Sequence, residues 1–324
     1  MDTVQKPLKE KSDKFGKEIK EFLEYLEVER NVSPLTLRDY KHYLEVFANW
    51  ANENNISEIE SVDIKQIRSF RLFLSRKLTQ DGEPIKKITQ NYYVIALRAM
   101  LRFLIKNDRQ VISPDKIELG KQEGRQVKFL TQDHLNRLLN SPNVNDLSGL
   151  RDKAILEMLF STGLRVSEMV SLDRDSIDLN SGEFGVMGKG RRVRVVFLSP
   201  DSATWVARYL NARDDHYEPL FVRYKGKKSI VDDDESHRLT SRSIQRIVEG
   251  YVKKAQLPIK ATPHTLRHSF ATDLLNNGAD IRSVQEMLGH KNIATTQIYT
   301  HVTNRQLREV HQAFHGRKKD KLDE

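Results

Sequence analysis

The sequence predicts a mainly α fold in two parts: an N-terminal helical bundle, then a mixed, mostly helical domain with a small β-sheet. Three observations carry this. Apolar residues recur every three to four positions from residue 14 to 108. The recurrence fades over residues 109–126, where Lys, Gln, Gly and Arg dominate and Pro114 breaks any helix. Beyond it, helical patterns resume, interrupted by one stretch of period-2 alternation. The 324 residues suffice for two domains with sizeable cores.

In the first part, Phe15, Ile19, Phe22, Leu23 and Leu26 mark a helix that stops at Asn31–Pro34. Ser33 is a natural N-cap, and Pro34 fits the first helical position, where its missing N–H costs nothing. The next helix carries Leu37, Tyr40, Leu44, Phe47 and Ala51 and ends in Asn52 to Asn55. A third begins at Val62-Asp63 with Ile64, Ile67, Phe70 and Leu74. Gln80 to Pro84 is a loop, and a fourth helix starts near Thr89 with Tyr93, Leu97, Leu101 and Leu104. Four amphipathic helices with short connections predict a compact bundle. Residues 109–126 are expected to be an exposed linker.

The second domain is expected over 127–316. Thr131 caps its first helix, and Ala154, Leu156, Met158 and Leu159 form an apolar helix that runs into a turn at Gly163. Glu183 to Leu198 alternates around Gly188-Lys189-Gly190, which predicts a β-hairpin with Val193, Val195 and Phe197 on one face of its second strand. Tyr224 to Arg238 reads as a charged loop, helices resume from Ser241 to His315, and residues 317–324 form a charged tail.

Lys plus Arg number 54 against 45 Asp plus Glu, a net charge of +9. Such a surface attracts polyanions, although a solvated basic face explains the charge equally well. Cysteine is absent, which excludes a disulfide framework and Cys-ligated metals and suits a reducing compartment. No run approaches the roughly 18 apolar residues of a membrane helix, and the first residues lack the apolar core of a signal peptide. The expected location is cytoplasmic.

The stretch P-H-T-L-R-H-S-F-A-T, Pro263 to Thr272, is followed by Leu288-Gly289-His290 and by Tyr299. His264 and Arg267 are three apart and share a helix face. Arg165 lies about a hundred residues earlier, in Thr162-Gly163-Leu164-Arg165-Val166-Ser167-Glu168. Cationic donors around a phenol suit attack on a phosphodiester: the tyrosine is the nucleophile, and the cations hold the charge that develops on phosphate. Taken singly, each residue has a plainer reading. A helical Tyr is usually core, a His a satisfied structural residue, an Arg a surface ion pair, and a Lys at a hairpin tip a solvated turn residue.

Together these boxes resemble the signature of the tyrosine recombinases, the family of phage-type integrases and Xer-type resolvases. The order and spacing match throughout, with Tyr299 nine residues after His290. The resemblance spans about Phe15 to His315. It implies catalytic roles for Arg165, Lys189, His264, Arg267, His290 and Tyr299. In that scheme Arg165 and Arg267 clamp the non-bridging phosphate oxygens, and His290 donates to the same oxygens. His264 takes the proton of Tyr299, and Lys189 protonates the leaving 5′-hydroxyl. Glu168 orients the site without touching phosphate, and His268 packs beside it. The product is a 3′-phosphotyrosyl link, which a second 5′-hydroxyl reverses; no metal and no cofactor is implied.

By the same resemblance, the bundle is a core-binding, SAM-like DNA-binding domain, and the second part is the catalytic domain. Ser33 to Tyr40 matches the S-x-x-T-x-x-x-Y pattern found there. Thr36, Tyr40, Arg98 and Arg191 are candidate DNA contacts. The expected partner is a double-stranded recombination site, bound by a homo- or hetero-tetramer of recombinase protomers on two duplexes. His301 to His315 resembles the segment with which Xer-type proteins reach a neighbouring protomer. Only about fourteen residues precede the bundle, too few for the arm-binding domain of many phage integrases. The expected role is Xer-type chromosome dimer resolution; integration or excision of a mobile element is the alternative. A non-catalytic DNA-binding module and a type IB topoisomerase-like relaxer are more distant readings.

Overall fold

The structure is a computed structural model that describes residues 15–79, 81–120, 129–188, 193–224 and 233–289. Lys189, Arg191, His290, Tyr299 and the segment from His301 to His315 lie outside the described residues. The chain divides into two compact units, Met1–Arg125 and Gln126–Glu324.

The first unit holds α1 (Gly16–Val28), α2 (Pro34–Glu53), α3 (Ile64–Arg76) and α4 (Lys87–Lys106). The Ser33 start signal acts as expected. Ser33 Oγ accepts from the Thr36 amide at 3.3 Å, and Asp63 and Gln66 form a reciprocal box that caps α3. The apolar stripes converge on a core centred on Phe15, Phe22, Phe47, Phe70, Leu97 and Met100, all fully buried. Phe47 and Phe70 meet edge to face with centroids 5.1 Å apart.

The segment expected to be an exposed linker is anchored to this unit as far as Gly120. Pro114 and Ile117 are buried. The buried Asn91 side chain donates to the Gly120 carbonyl at 2.9 Å and accepts from its amide at 3.0 Å. Two apolar anchors and one amide clamp suffice to hold a stretch whose composition is otherwise polar.

The second unit contains α5 (Gln132–Leu139), α6 (Leu147–Thr162), α7 (Val166–Val170), β1 (Glu183–Met187), β2 (Val193–Phe197) and α8 (Pro200–Asn211). These are followed by α9 (Asp234–His237), α10 (Ser241–Lys254), α11 (Pro263–Asn276) and α12 (Ile281–Leu288). The centre is α6, which packs against α8 and α11 and is buried on nearly every side. Its charged residues go inside in pairs: Arg151 with Asp152 at 2.7 Å, and Lys153 with Glu157 at 2.7 Å. The single turn α9 falls within the expected loop, capped by Asp233, whose Oδ1 accepts from the Ser236 amide at 2.8 Å. Arg238 then closes it through ion pairs to Asp173 and Glu235.

The hairpin forms in the antiparallel register Glu183↔Phe197, Val186↔Arg194 and Met187↔Val193. Val193, Val195 and Phe197 do share a face, and it is the exposed one: 68%, 53% and 46% of their surfaces are open. Val196 and Val186 face the core, and Arg194 lies on that inner face with them.

Candidate active site

The site is built where the C-terminal end of α6 meets the start of α11 and the end of α12. Gly163 ends α6 in the left-handed region at φ 59°, and a Cβ there would lie 2.4 Å from the Phe270 ring. This turn delivers Arg165 to the N-cap of α7. Glu168, three residues on, reaches back and accepts from the Arg165 amide at 2.8 Å and from Arg165 Nη1 at 2.7 Å.

Thr262 caps α11 and Pro263 opens it, so His264 and Arg267 sit on its first turns. Arg267 is 4% exposed. Its Nη1 donates to the Gly163 carbonyl and its Nη2 to the Leu288 carbonyl, tying the Arg165 turn to the end of α12. Gly289 stops α12 at φ 62°, and its carbonyl accepts from Arg165 Nη2 at 3.3 Å.

A third guanidinium completes the group. Arg194 of β2 donates through Nη1 and Nη2 to the two Glu168 oxygens at 2.9 and 2.8 Å, and through Nε to the Met287 carbonyl at 3.0 Å. Three successive carbonyls at the end of α12, those of Met287, Leu288 and Gly289, therefore each accept from a different arginine. Sequence reasoning missed Arg194. The available signal was its parity with Val196: a lone cation on the buried face of a strand needs a buried partner.

Burial pushes the Glu168 carboxyl up, but the hydrogen bonds and charges of Arg194 and Arg165 outweigh it and hold the pKa at about 2. His264 stays exposed overall. Even so, partial desolvation and then the charges of Arg267 and Arg165 lower its pKa from the ordinary 6.5, so the neutral imidazole prevails at pH 7. One neutral proton acceptor thus stands beside two guanidinium groups. Such an arrangement can bind a phosphate oxygen and receive a proton from an attacking hydroxyl.

Of the predicted residues, Arg165, Glu168, His264 and Arg267 are brought together here, and His268 is half-buried on the same helix. The candidate DNA contacts on the first unit are differently engaged. Thr36 Oγ1 lies 2.9 Å from Ser33 Oγ, within the start of α2. The half-buried Tyr40 packs on Phe22. Arg98, with its side chain 20% exposed, faces Asp115 at 3.6 Å. Among the described residues, no three His, Asp or Glu side chains cluster as metal ligands would, and no helix is long and apolar enough to cross a membrane.

Comparison with known proteins bears on both units. A sequence model described as Phage integrase family matches residues 128–306, and one described as Phage integrase, N-terminal SAM-like domain, matches residues 19–108. The chain is 36% identical over 302 residues to Tyrosine recombinase XerD of Listeria monocytogenes serotype 4b (strain F2365), covering 92% of this chain and 98% of that protein. It is 35% identical over 306 residues to Tyrosine recombinase XerC of Escherichia coli (strain K12 / DH10B), covering 93% and 97%. Among solved structures, the fold resembles that of XerH site-specific recombinase bound to a palindromic difH substrate. There the TM-score is 0.69 at 22% identity, over 92% of this chain and 85% of that one. It also resembles the Tn1549 transposon integrase in complex with a circular intermediate DNA, with a TM-score of 0.68 at 20% identity, over 92% and 99%.

Proposed function

We propose that this chain, which belongs to the phage integrase family and is a tyrosine site-specific recombinase, resolves chromosome dimers in the Xer manner. Its substrate is a double-stranded recombination site, and it acts in the cytoplasm on the nucleoid as a tetramer of protomers on two duplexes. Tyr299 attacks the scissile phosphorus while His264 takes its proton. The bond to the 5′-oxygen breaks, Lys189 protonates that oxygen, and Tyr299 holds the 3′-phosphate. A 5′-hydroxyl from the partner duplex then attacks the phosphotyrosine, giving its proton to Lys189; the bond to Tyr299 breaks, His264 returns the proton to the tyrosine oxygen, and the exchanged strand is joined. Arg165, Arg267 and His290 stabilise the charge on the non-bridging oxygens in both steps.

The observation that carries this reading is the convergence of Arg165 and Arg267 on adjacent carbonyls, Gly289 and Leu288, beside a His264 they help keep neutral. Arg267 donates to the carbonyls of Gly163 and Leu288, and Arg165 to the Gly289 carbonyl and the Glu168 carboxylate. Two guanidinium forks fixed on adjacent carbonyls suit the non-bridging oxygens of a phosphate.

The test is covalent capture. The protein is incubated with sheared genomic DNA from its source organism, denatured, and the DNA that stays attached is sequenced. Capture of one chromosomal locus is expected. Capture at the ends of a mobile element would replace the resolvase role with integration or excision. Tyr299→Phe should abolish attachment while leaving binding of the captured site in a gel-shift assay within about twofold, because the ring is kept and the attacking oxygen is lost. Adduct formation by that variant would remove Tyr299 from its role.

A further inference from the structure

We propose that Arg194 is a positioning residue for DNA cleavage: by holding both oxygens of Glu168 and the backbone at Met287, it sets where Arg165 meets the scissile phosphate. The inference rests on the reading of Arg165 as a phosphate ligand.

Each Glu168 oxygen accepts one bond from each arginine. Oε1 takes Arg165 Nη1 at 2.7 Å and Arg194 Nη1 at 2.9 Å; Oε2 takes the Arg165 amide at 2.8 Å and Arg194 Nη2 at 2.8 Å. The planar fork of Arg194 therefore fixes the carboxylate plane, and only one Arg165 side-chain nitrogen bonds to it. The second anchor of Arg165 is the Gly289 carbonyl. Arg194 lies against that residue too, since a Cβ on Gly289 would come 3.1 Å from Arg194 Cδ. Arg194 thus contacts both anchors of Arg165, while its own Nε, Nη1 and Nη2 all donate to protein acceptors. Its side chain is 11% exposed and that of Glu168 is 5% exposed, so water is poorly placed to substitute for it.

The consequence of removing it follows from the geometry of the pair. With Arg194 absent, both Glu168 oxygens become available to the Arg165 guanidinium. A two-pronged pair between them would turn its donors from the phosphate onto the carboxylate. Arg194 acts here as the competitor that keeps Glu168 from capturing Arg165. A cation that merely held the hairpin in place would not have this effect.

The test uses full-length protein and two synthetic duplexes of the captured site, each nicked beside the scissile position so that the covalent adduct accumulates. One carries an ordinary phosphodiester there; the other carries a methylphosphonate, in which a methyl group replaces the charged non-bridging oxygen. Adduct formation in a single turnover is compared with wild type on each duplex. Arg194→Met keeps the aliphatic stem and removes the fork. It should be slowed by about 10- to 100-fold on the phosphodiester, less than the about 10²- to 10³-fold of a direct donor. On the methylphosphonate it should come within about threefold of wild type, as Arg165→Ala should, because the charge that Arg165 neutralises is gone. The double variant should be no slower than Arg165→Ala alone.

An Arg194→Met defect of equal size on both duplexes, or one that multiplies with Arg165→Ala, would overturn the inference and leave the recombinase reading intact. Failure of wild type to form an adduct on the phosphodiester would overturn both. Should Arg194→Met not fold, Arg194→Lys carries the test, since it keeps the charge and loses the fork. The same substrate dependence is expected, and an equal defect on both duplexes refutes the inference.

Discussion

Replacing Glu168 with glutamine changes one atom type in the most densely bonded side chain of the site, and its cost can be worked out in advance. Glu168 accepts four hydrogen bonds, three of them from guanidinium groups and one from the Arg165 amide. A glutamine offers one oxygen and turns an NH2 toward donors. The pKa of Glu168 is held at about 2 against an ordinary 4.5. A carboxylate with a depressed folded-state pKa contributes stability that is fully present above its unfolded value and is lost as pH falls through the folded one. At about 1.4 kcal/mol per unit, the contribution at pH 7 is about 3 kcal/mol. The side chain is 5% exposed, so solvent screening takes little from this figure. It also agrees with the roughly 3–5 kcal/mol typical of breaking a buried charge pair.

The assay is available in the sequence. The chain has two tryptophans, Trp50 in the first unit and Trp205 in the second. In a Trp50→Phe background, Trp205 fluorescence reports urea unfolding of the second unit alone. At pH 7, Glu168→Gln should lower the unfolding free energy by about 3 kcal/mol. The gap between the two proteins should narrow below pH 4.5 and fall to less than half by pH 3, about 1.4 kcal/mol, because the carboxylate of the unfolded chain takes up its proton there while the folded one stays ionised. A gap under about 1 kcal/mol at pH 7, or one that stays constant from pH 7 to pH 3, would refute the account of Glu168 as the charge that unites Arg165 and Arg194.

Two further outcomes are expected. Gly163→Ala should destabilise the second unit by about 2–4 kcal/mol in the same fluorescence assay, since the new methyl would sit in a left-handed turn and against the Phe270 ring; an unchanged midpoint would show that the turn is not required. Arg165→Gln should raise the pKa of His264, followed by its ring proton in NMR, because one of the cations that depress it is removed. The acid limb of any residual adduct formation should then move to higher pH; a pKa that stays put or falls would mean that Arg165 does not act on His264 through charge.

Much of the fold was legible because its punctuation is local. Ser33-Pro34 caps α2 as expected, and α3 starts where Val62-Asp63 placed it, closed by a box of Asp63 with Gln66. Ser199-Pro200 opens α8 by the same rule, with Ser199 Oγ accepting from the Ser202 amide at 3.3 Å, although the sequence reading passed over this helix. Less legible were features that depend on distant partners. The amphipathic signal of α6 is nearly absent because the helix is surrounded, and nothing local tells that Arg151, Asp152, Lys153 and Glu157 go inside as pairs. The segment before Gly120 looked like a linker because its anchors, Pro114 and Ile117, are few, and because the Asn91 clamp comes from another element. In the site, the residue types were readable from motif spacing. Their restraint was not: Arg267 donates to two backbone carbonyls and Arg165 to a third, groups that every sequence possesses and no motif records.

That mode of restraint decides the electrostatics. Arg165, Arg194 and Arg267 bring three positive charges to a cluster in which Glu168 pairs with two of them. Holding the arginines with three more carboxylates would have fixed their positions as firmly and cancelled that charge. The carbonyls at the end of α12 instead offer partial negative charge, concentrated there by the helix dipole, and fix the guanidinium groups without neutralising them. The clustered guanidinium charge has two consequences that work together. It attracts a phosphodiester and suits the extra charge that develops on its oxygens during attack. It also keeps His264 unprotonated in the free protein, ready to accept a proton. In the proposed scheme, an anionic phosphate seated here would screen His264 from the same cations and make the imidazole a stronger base when the tyrosine proton has to leave.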